Sequence, residues 1–171
     1  GLIIVLAAQL LTGCQSGQAE EYKQYTKYTD SFFDTFDTIT QVVAYTKSQQ
    51  EFEGYMEKIH QRFKDLHKQY DKYNAYPGIN NIKTINDNAG IQPVKVDKEI
   101  IELIEFGKYW NAQTKGETNI AMGAVTEIWH EYREAGKADP ENAKLPPMEK
   151  LLEAVKHTDI NKVIVDAKNS T

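Results

Sequence analysis

The chain has 171 residues, of which 40% are hydrophobic and 26% are charged, a composition that excludes collagen-like, low-complexity and multi-span membrane proteins. Its 20 Lys and Arg residues stand against 25 Asp and Glu residues, which gives a net charge of −5. An acidic chain lacks the positive field on which non-specific nucleic-acid binding depends, so we predict no nucleic-acid partner. Since the chain starts at Gly1, inside an apolar run, we expect it to be a piece of a longer protein.

The N-terminus carries the features of an exported lipoprotein. Residues 1–13 are uncharged and mostly apolar, but about 20 apolar residues are needed to span a bilayer, so the run fits the apolar part of a secretory signal peptide. The tetrapeptide that ends in Cys14, Leu-Thr-Gly-Cys, resembles a bacterial lipobox, in which the cysteine thiol receives a diacylglycerol. The alternative is a free cysteine, since Cys14 is the single cysteine and has no partner for an internal disulfide.

These observations divide the chain into three predicted parts. Residues 1–13 are the remnant of a signal peptide, residues 14–28 are a lipidated tether, and residues 29–171 are folded. The tether is polar and has no helical or strand periodicity, which is typical of a flexible spacer. We therefore expect a domain held outside the cytoplasm, on a bacterial cell membrane, by a lipid such as palmitate.

The first half of the folded part predicts a sheet and a long helix. Residues 31–45 are rich in Phe, Thr, Val and Ile and alternate, which favours strands, with a bend where the pair Asp-Thr occurs twice. Ser48 is then the predicted N-cap of a helix that reaches about Tyr73. Its apolar residues recur at spacings of three and four, so we expect this stripe to pack against the sheet.

The second half predicts loops, helices and a final strand. Turn residues dominate 74–96, so a long loop is expected there, followed by a helix that Asp97 caps and Gly116 ends. A helical pattern resumes over 119–132, and a polar loop covers 136–147. A short helix is predicted from Met148 to Val155, and residues 162–167 are predicted as a strand. The fold class is therefore α+β.

General catalytic motifs are absent from the sequence. It contains neither a glycine-rich phosphate loop nor the strand-turn-helix motif of a serine hydrolase. His60, His67 and Asp71 share a helix face with metal-ligand spacing, but Lys and Gln crowd that face. We favour a solvated helix face there over a metal site.

Four segments of the chain carry a resemblance to one known family. They are Phe36-Asp37-Thr38, the residues Tyr73 and Asn86, the sequence from Gly116 to Asn119 with the tryptophan-bearing helix after it, and the lipobox. Together they resemble the ApbE family, the flavin transferases that attach FMN to proteins. The similar segments of that family are an opening Met-Gly-Thr or Met-Asp-Thr, a Ser-Thr-Tyr turn followed by an asparagine, and a Gly-Ala-Phe-Asp segment, and many members carry a lipobox.

The chain also departs from the family pattern. Phe36 replaces methionine, Glu117-Thr118 replaces Ala-Phe, and Asn119 replaces aspartate, which removes a charge but leaves a hydrogen-bonding group. Family members are longer, and their later Asp-x-Gly-Gly-x-Ala-Lys-Gly and Asp-x-x-x-Thr segments are not found before Thr171. The resemblance therefore implies the N-terminal half of an ApbE-like, T-fold-like domain, with its Mg²⁺ ligands expected beyond Thr171.

The resemblance implies an FAD:protein FMN transferase. In that reaction a Thr or Ser hydroxyl of an acceptor protein, expected to be a membrane redox subunit, attacks the FMN phosphorus of FAD, and AMP is released. The implied FAD contacts are Phe36 and Tyr73, together with Glu117, Thr118 and Asn119. The alternatives are plain core packing for Phe36 or Tyr73 and an ordinary helix-ending turn for the other three. The catalytic base stays unassigned.

Two other functions remain open. A flavin-binding lipoprotein would bind the ligand without catalysis, and an FAD pyrophosphatase would use water in place of the acceptor hydroxyl to give FMN and AMP. A role as the FMN acceptor is disfavoured, because the nearest segment, which runs from Thr114 to Thr118, lacks the small Gly-Ala-Thr ending.

Overall fold

The computed structural model describes residues 24–171, so the predictions for the signal remnant and Cys14 lie outside the described residues. The chain divides into two compact units, one that ends at His67 and one that starts at Lys68. The described elements, in chain order, are strands β1 (Thr26–Thr35) and β2 (Thr38–Thr46) and helices α1 (Gln49–Tyr70), α2 (Ile82–Asp87), α3 (Lys98–Gln113), α4 (Gly123–Ala138) and α5 (Met148–Val155), with 3₁₀ turns at Pro140–Asn142 and Ile160–Lys162. The α+β class is confirmed.

The first unit is built on an antiparallel hairpin. β1 and β2 pair so that Thr26 lies opposite Thr46, and Thr35 lies opposite Thr38 across a two-residue connection. The bend predicted from the repeated Asp-Thr pair is confirmed, because the connection consists of Phe36, which follows the first pair, and Asp37, which begins the second. β1 begins three residues before the domain start predicted at residue 29.

The inner face of the hairpin packs against α1. Phe32 of β1 and Phe52 and Met56 of α1 are buried together, and Val42 and Ala44 of β2 lie against them. The predicted packing of the helix stripe against the sheet is therefore confirmed. The opposite face of β2 is exposed and carries Ile39, Val43 and Tyr45.

Both ends of α1 are set by side chains. The Ser48 Oγ accepts a hydrogen bond from the amide N–H of Glu51 at 3.2 Å, which confirms the predicted N-cap. The helix ends at Tyr70 rather than Tyr73. It stops because the Asp71 carboxylate binds the next amides, which would otherwise continue the helical ladder.

The second unit has its own core and one helix that was not predicted. Val96, Ile100 and Ile101 form the buried cluster, and Ile82 and Ile85 pack against it. These two isoleucines belong to α2, which lies inside the region predicted to be a long loop. The prediction was wrong there because six residues show too little periodicity to stand out among turn residues.

Helix α3 agrees closely with its prediction. It follows Asp97 as the N-cap residue, although the Asp97 side chain makes no capping hydrogen bond. At its end Lys115 and Gly116 take left-handed backbone conformations, with φ of 54° and 94°. The Gly116 amide N–H then donates to the Asn111 carbonyl at 2.8 Å, so the predicted helix end at this glycine is confirmed.

The later elements differ more from prediction. α4 starts at Gly123 instead of 119 and continues to Ala138, into the predicted polar loop. Residues 162–167 form no strand, and Ile164 is 84% exposed. A strand needs a partner for its backbone N–H and C=O groups. From Lys68 to Thr171 the structure contains no strand that could pair with this segment.

None of the helices among residues 24–171 combines the length and the apolarity needed to cross a bilayer.

Candidate functional site

Tyr73 lies in a turn that the Asp71 carboxylate organises. One carboxylate oxygen accepts the amide N–H groups of Tyr73 at 2.6 Å and Asn74 at 3.1 Å. The other accepts the Asn74 side-chain amide at 2.9 Å and the Tyr76 hydroxyl at 2.8 Å. Since Asp71 is only 8% exposed, these bonds fix the backbone from which the Tyr73 ring projects.

Asp71 is ionised because of these hydrogen bonds. Its burial alone would raise the pKa of the carboxyl group. The hydrogen bonds from the Asn74 side chain, the Tyr73 amide, the Tyr76 hydroxyl and the Asn74 amide outweigh burial and lower the pKa to about 2. The same contact raises the pKa of the Tyr76 hydroxyl, because it donates to the carboxylate. The turn therefore keeps a charged, fully bonded carboxylate at its centre.

A cleft of about 580 Å³ opens beside Tyr73, within the size range of ligand pockets. One stripe of α4 lines it, with Thr126, Trp129, His130 and Arg133 at helical spacings of three and four. The Tyr73 ring lies 5.7 Å from the His130 ring. The cleft, which we call the Tyr73 cleft, thus presents flat aromatic surface to a ligand.

The Tyr73 cleft is also positively charged. Lys72, Arg133 and Lys144 line it, and no Asp or Glu is among its lining residues. The Lys72 Nζ lies 4.7 Å from the centre of the Tyr73 ring, a cation–π contact. Leu145 and Pro146 add an apolar wall. A site with this lining suits a ligand that is both aromatic and anionic, although the protein as a whole is acidic.

Arg133 is held by two neighbours on its own helix. Its guanidinium contacts His130 Nδ1 at 2.8 Å and donates to a Glu134 carboxylate oxygen at 3.0 Å. Lys137 also donates to Glu134, at 2.9 Å. The hydrogen bond from Lys137 and then that from Arg133 lower the pKa of Glu134, so the carboxylate stays charged beside both cations.

The predicted segment Glu117–Asn119 forms the turn between α3 and α4. Glu117 and Thr118 are exposed, while Asn119 is half-buried. Thr118 is tied to Thr114 through their hydroxyl groups at 2.8 Å. The Asn119 side chain accepts from the Ala121 amide at 2.8 Å and donates to the Thr158 carbonyl at 2.8 Å. The three residues are not among those that line the Tyr73 cleft, so their ligand role stays a prediction.

Phe36 belongs to the first unit, at the tip of the hairpin. It has a left-handed backbone with φ of 56°, and its amide N–H donates to His67 Nδ1 at 3.1 Å. Its ring packs edge-on against Phe63 and His67. About a third of the residue is exposed, so Phe36 combines core packing with an accessible ring edge.

The helix-face histidines have partners other than a metal. His60 pairs with Asp34 at 2.6 Å, and this hydrogen bond lowers the pKa of the Asp34 carboxyl group. His67 accepts from Phe36, and Asp71 binds its own turn. In the described part of the chain no three His, Cys, Asp or Glu residues are grouped so as to hold a metal ion.

Of the residues that line the cleft, the sequence singles out Tyr73 but not the others. Trp129, His130 and Arg133 lie 56 or more residues further along the chain, and nothing local connects them with Tyr73. One signal was present: their spacing places an aromatic and a cationic side chain on one face of a helix, opposite the buried Ile128. The residues around Lys144 carried no such signal.

A family model described as the ApbE family matches residues 36–171. The chain belongs to the ApbE family. No curated protein matches it. Among solved structures, the ApbE protein of Thermotoga maritima is similar, with a TM-score of 0.63 and 26% sequence identity. The alignment covers 86% of this chain and 43% of that protein, so this chain spans less than half the length of its ApbE relative.

Proposed function

We propose that this ApbE chain is part of an FAD:protein FMN transferase and that the Tyr73 cleft takes part in binding FAD. Family membership supports a flavin-related transferase. The observation that carries the more specific proposal is the joint presence, in one cleft, of aromatic surface from Tyr73 and Trp129 and of positive charge from Lys72, Arg133 and Lys144. FAD offers aromatic rings and a pyrophosphate to match them.

The reaction forms one phosphate ester bond and breaks one phosphoanhydride bond. The acceptor hydroxyl oxygen bonds to the FMN phosphorus, the bond from that phosphorus to the bridging oxygen breaks, and AMP leaves with that oxygen. The hydroxyl proton passes to a base that these residues do not identify. The residues of the cleft contribute by holding the rings in place and by neutralising the phosphate charge.

Magnesium would neutralise charge on the phosphate oxygens. The described residues offer no grouped set of ligands for it, so no step of the reaction is assigned to a metal on them. We propose, as the family pattern implies, that its ligands lie beyond Thr171. Phe36 and the segment Glu117–Asn119 remain proposed FAD contacts, because they resemble FAD-contacting segments of the family.

The full-length protein tests the function when it is incubated with FAD, Mg²⁺ and an acceptor domain that contains a Thr in the family's acceptor context. The expected result is an acceptor mass gain of one FMN, with an equal amount of AMP released. FMN and AMP in solution with an unmodified acceptor would identify a pyrophosphatase instead. FAD bound without any product would identify a flavin-binding protein.

The role of Tyr73 is tested by two substitutions. Tyr73→Phe keeps the ring and is expected to keep FAD affinity, whereas Tyr73→Ala removes it and is expected to weaken FAD binding about threefold to tenfold. Tyr45→Ala is the matched control, because Tyr45 is an exposed tyrosine of the hairpin and not part of the cleft. Equal FAD affinity in Tyr73→Ala and the control would remove Tyr73 from the site.

A further inference from the structure

Arg133 reaches the Tyr73 cleft with part of its guanidinium already bound. Arginine is always protonated and only donates, so His130 Nδ1 must accept its hydrogen bond, and neutral His130 then carries its proton on Nε2. The second contact, to Glu134, uses the Nε–H group. A guanidinium has five N–H donors, and within residues 24–171 no hydrogen bond uses the others.

The two contacts prepare Arg133 for a ligand. A free arginine side chain must give up rotational freedom when it binds an anion, and a side chain already held in place gives up less. The bond to Glu134 does not neutralise the cleft, because that carboxylate is shared with Lys137. Arg133 therefore brings unused donors and positive charge to a cleft without any acidic lining.

We propose that Arg133 donates hydrogen bonds to the pyrophosphate of the bound ligand and that His130 is the positioning residue that orients its guanidinium. A planar fork of donors matches two phosphate oxygens better than a single ammonium group does. Lys72 and Lys144 add charge without this directional preference. The inference rests on the proposed function in that it takes FAD as the natural ligand and names the residues that select its pyrophosphate.

The charge and the aromatic surface together restrict the ligand class. A purely apolar ligand would cover the cations of the cleft without offering them a hydrogen-bond acceptor, which is unfavourable. Inorganic phosphate alone would make no contact with the aromatic surface of Tyr73 and Trp129. The fitting class is a ring system joined to a pyrophosphate, as in FAD or a nucleoside diphosphate.

The test measures binding of FAD, ADP and riboflavin to the full-length protein by calorimetry. Arg133→Gln is expected to weaken the binding of FAD and ADP about tenfold, since both carry a pyrophosphate. The affinity for riboflavin, which has no pyrophosphate, is expected to change by less than about twofold. Arg62→Gln, the substitution of the other arginine, is the matched control and is expected to change none of the three.

The positioning role has its own pair of variants. His130→Asn places an acceptor oxygen near the position of Nδ1 and is expected to keep FAD and ADP affinity. His130→Leu removes the acceptor and is expected to weaken both about threefold, again without an effect on riboflavin. Far-ultraviolet circular dichroism and the melting temperature confirm that each variant is folded.

The possible results separate the two proposals. Unchanged ADP affinity in Arg133→Gln, or equal losses for all three ligands, would overturn the role of Arg133. If the role of Arg133 is overturned but the wild-type protein binds FAD, the transferase proposal is unaffected. ADP binding that depends on Arg133, in a protein that does not bind FAD, would support the pyrophosphate site and overturn the transferase proposal.

Discussion

Asp71 shows how one side chain prepares the candidate site. The sequence presented it only as a possible metal ligand, whereas the structure makes it the acceptor of four hydrogen bonds from the turn that carries Tyr73. A carboxylate in this position joins the end of α1 to the start of the Tyr73 cleft. The sequence could not reveal this, because the hydrogen bonds depend on the turn geometry rather than on residue types.

The substitution Asp71→Asn is expected to lower the free energy of unfolding by about 2 kcal/mol, because an NH₂ group would replace one accepting oxygen in a buried position. Urea denaturation followed by circular dichroism measures it. Asp87→Asn is the control: its carboxylate pairs with Lys83 but is 58% exposed, so a change below about 0.5 kcal/mol is expected. Equal effects of the two substitutions would contradict the assigned role.

Asp71 also predicts a pH dependence. Its folded-state pKa is about 2 against an ordinary value of 3.8, so the folded state favours the charged form. The resulting stabilisation is fully present above about pH 4 and is lost as the pH falls towards 2. The stability difference between wild type and Asp71→Asn should therefore shrink between pH 4 and pH 2.5, measured by urea denaturation. A difference independent of pH would contradict this assignment.

At the scale of the element, the hairpin connection is strained. Phe36 and Asp37 both have positive φ, 56° and 51°, in a two-residue turn where glycine and asparagine are favoured. Left-handed backbone costs a non-glycine residue about 1 kcal/mol or more. The bond from the Phe36 amide to His67 and the packing of the Phe36 ring offset part of this cost.

Asp37→Gly is accordingly expected to raise the free energy of unfolding by about 0.5–1 kcal/mol, because glycine adopts this conformation without strain. The same substitution within β1, Asp30→Gly, is the control and should lower stability by about 1 kcal/mol. Urea denaturation at neutral pH distinguishes the two. A loss of stability in Asp37→Gly would show that the aspartate side chain, rather than the backbone, determines the turn.

Elements with strong local signals were predicted well. The stripe of α1, the helix α3 and the short α5 are confirmed, because apolar residues three and four apart already indicate a helix. In α5 that face is largely exposed, with Met148, Leu152 and Val155 all more than half accessible. Helix α2 was missed, although Asn81 provides its start. The Asn81 side chain is fully buried, and its oxygen accepts a hydrogen bond from the Thr84 amide N–H at 3.1 Å, which caps the helix. Its NH₂ group donates to the carbonyls of Lys68 and Asn74 at 3.0 and 2.8 Å. In the sequence it looked like one more turn residue.

The predicted strand at 162–167 illustrates the opposite error. Its apolar β-branched residues favour a strand locally, but the segment is irregular. Val165 packs against the Val96 cluster while Ile164 is exposed. Residue preference alone cannot supply the neighbouring strand that a sheet requires.

At the scale of the whole molecule, the sequence predicts attachment to a membrane. We propose that Cys14 is lipidated and that the protein is anchored on the outer side of the cell membrane. Two acyl chains hold a protein on a bilayer almost permanently, so Cys14→Ser is expected to move it to the soluble fraction. Fractionation of bacterial cells and labelling with radioactive palmitate measure this, with Ser16→Ala as the control. Continued membrane attachment of unlabelled Cys14→Ser protein would contradict the proposal.

The Tyr73 cleft also belongs to this scale. It joins the turn after α1, one face of α4 and the loop before α5, segments that lie more than 50 residues apart at the extremes. The sequence singles out Tyr73 through its resemblance to a family motif, and its contact with FAD stays a prediction. The sequence does not single out Arg133 and Lys144, since only the tertiary structure places their positive charges beside Tyr73.

The sequence by itself determined the acidic charge, the lipobox-like segment, the family and the helices with a clear apolar stripe, because each of these depends on residues that are close together in the chain. The tertiary structure decided which face of β2 is buried, that 162–167 is not a strand, and that a cationic and aromatic cleft surrounds Tyr73. The physical reason is that burial, strand pairing and the clustering of charged side chains depend on contacts between residues distant in the chain. A sequence pattern reflects only the relations between residues that are close together in the chain.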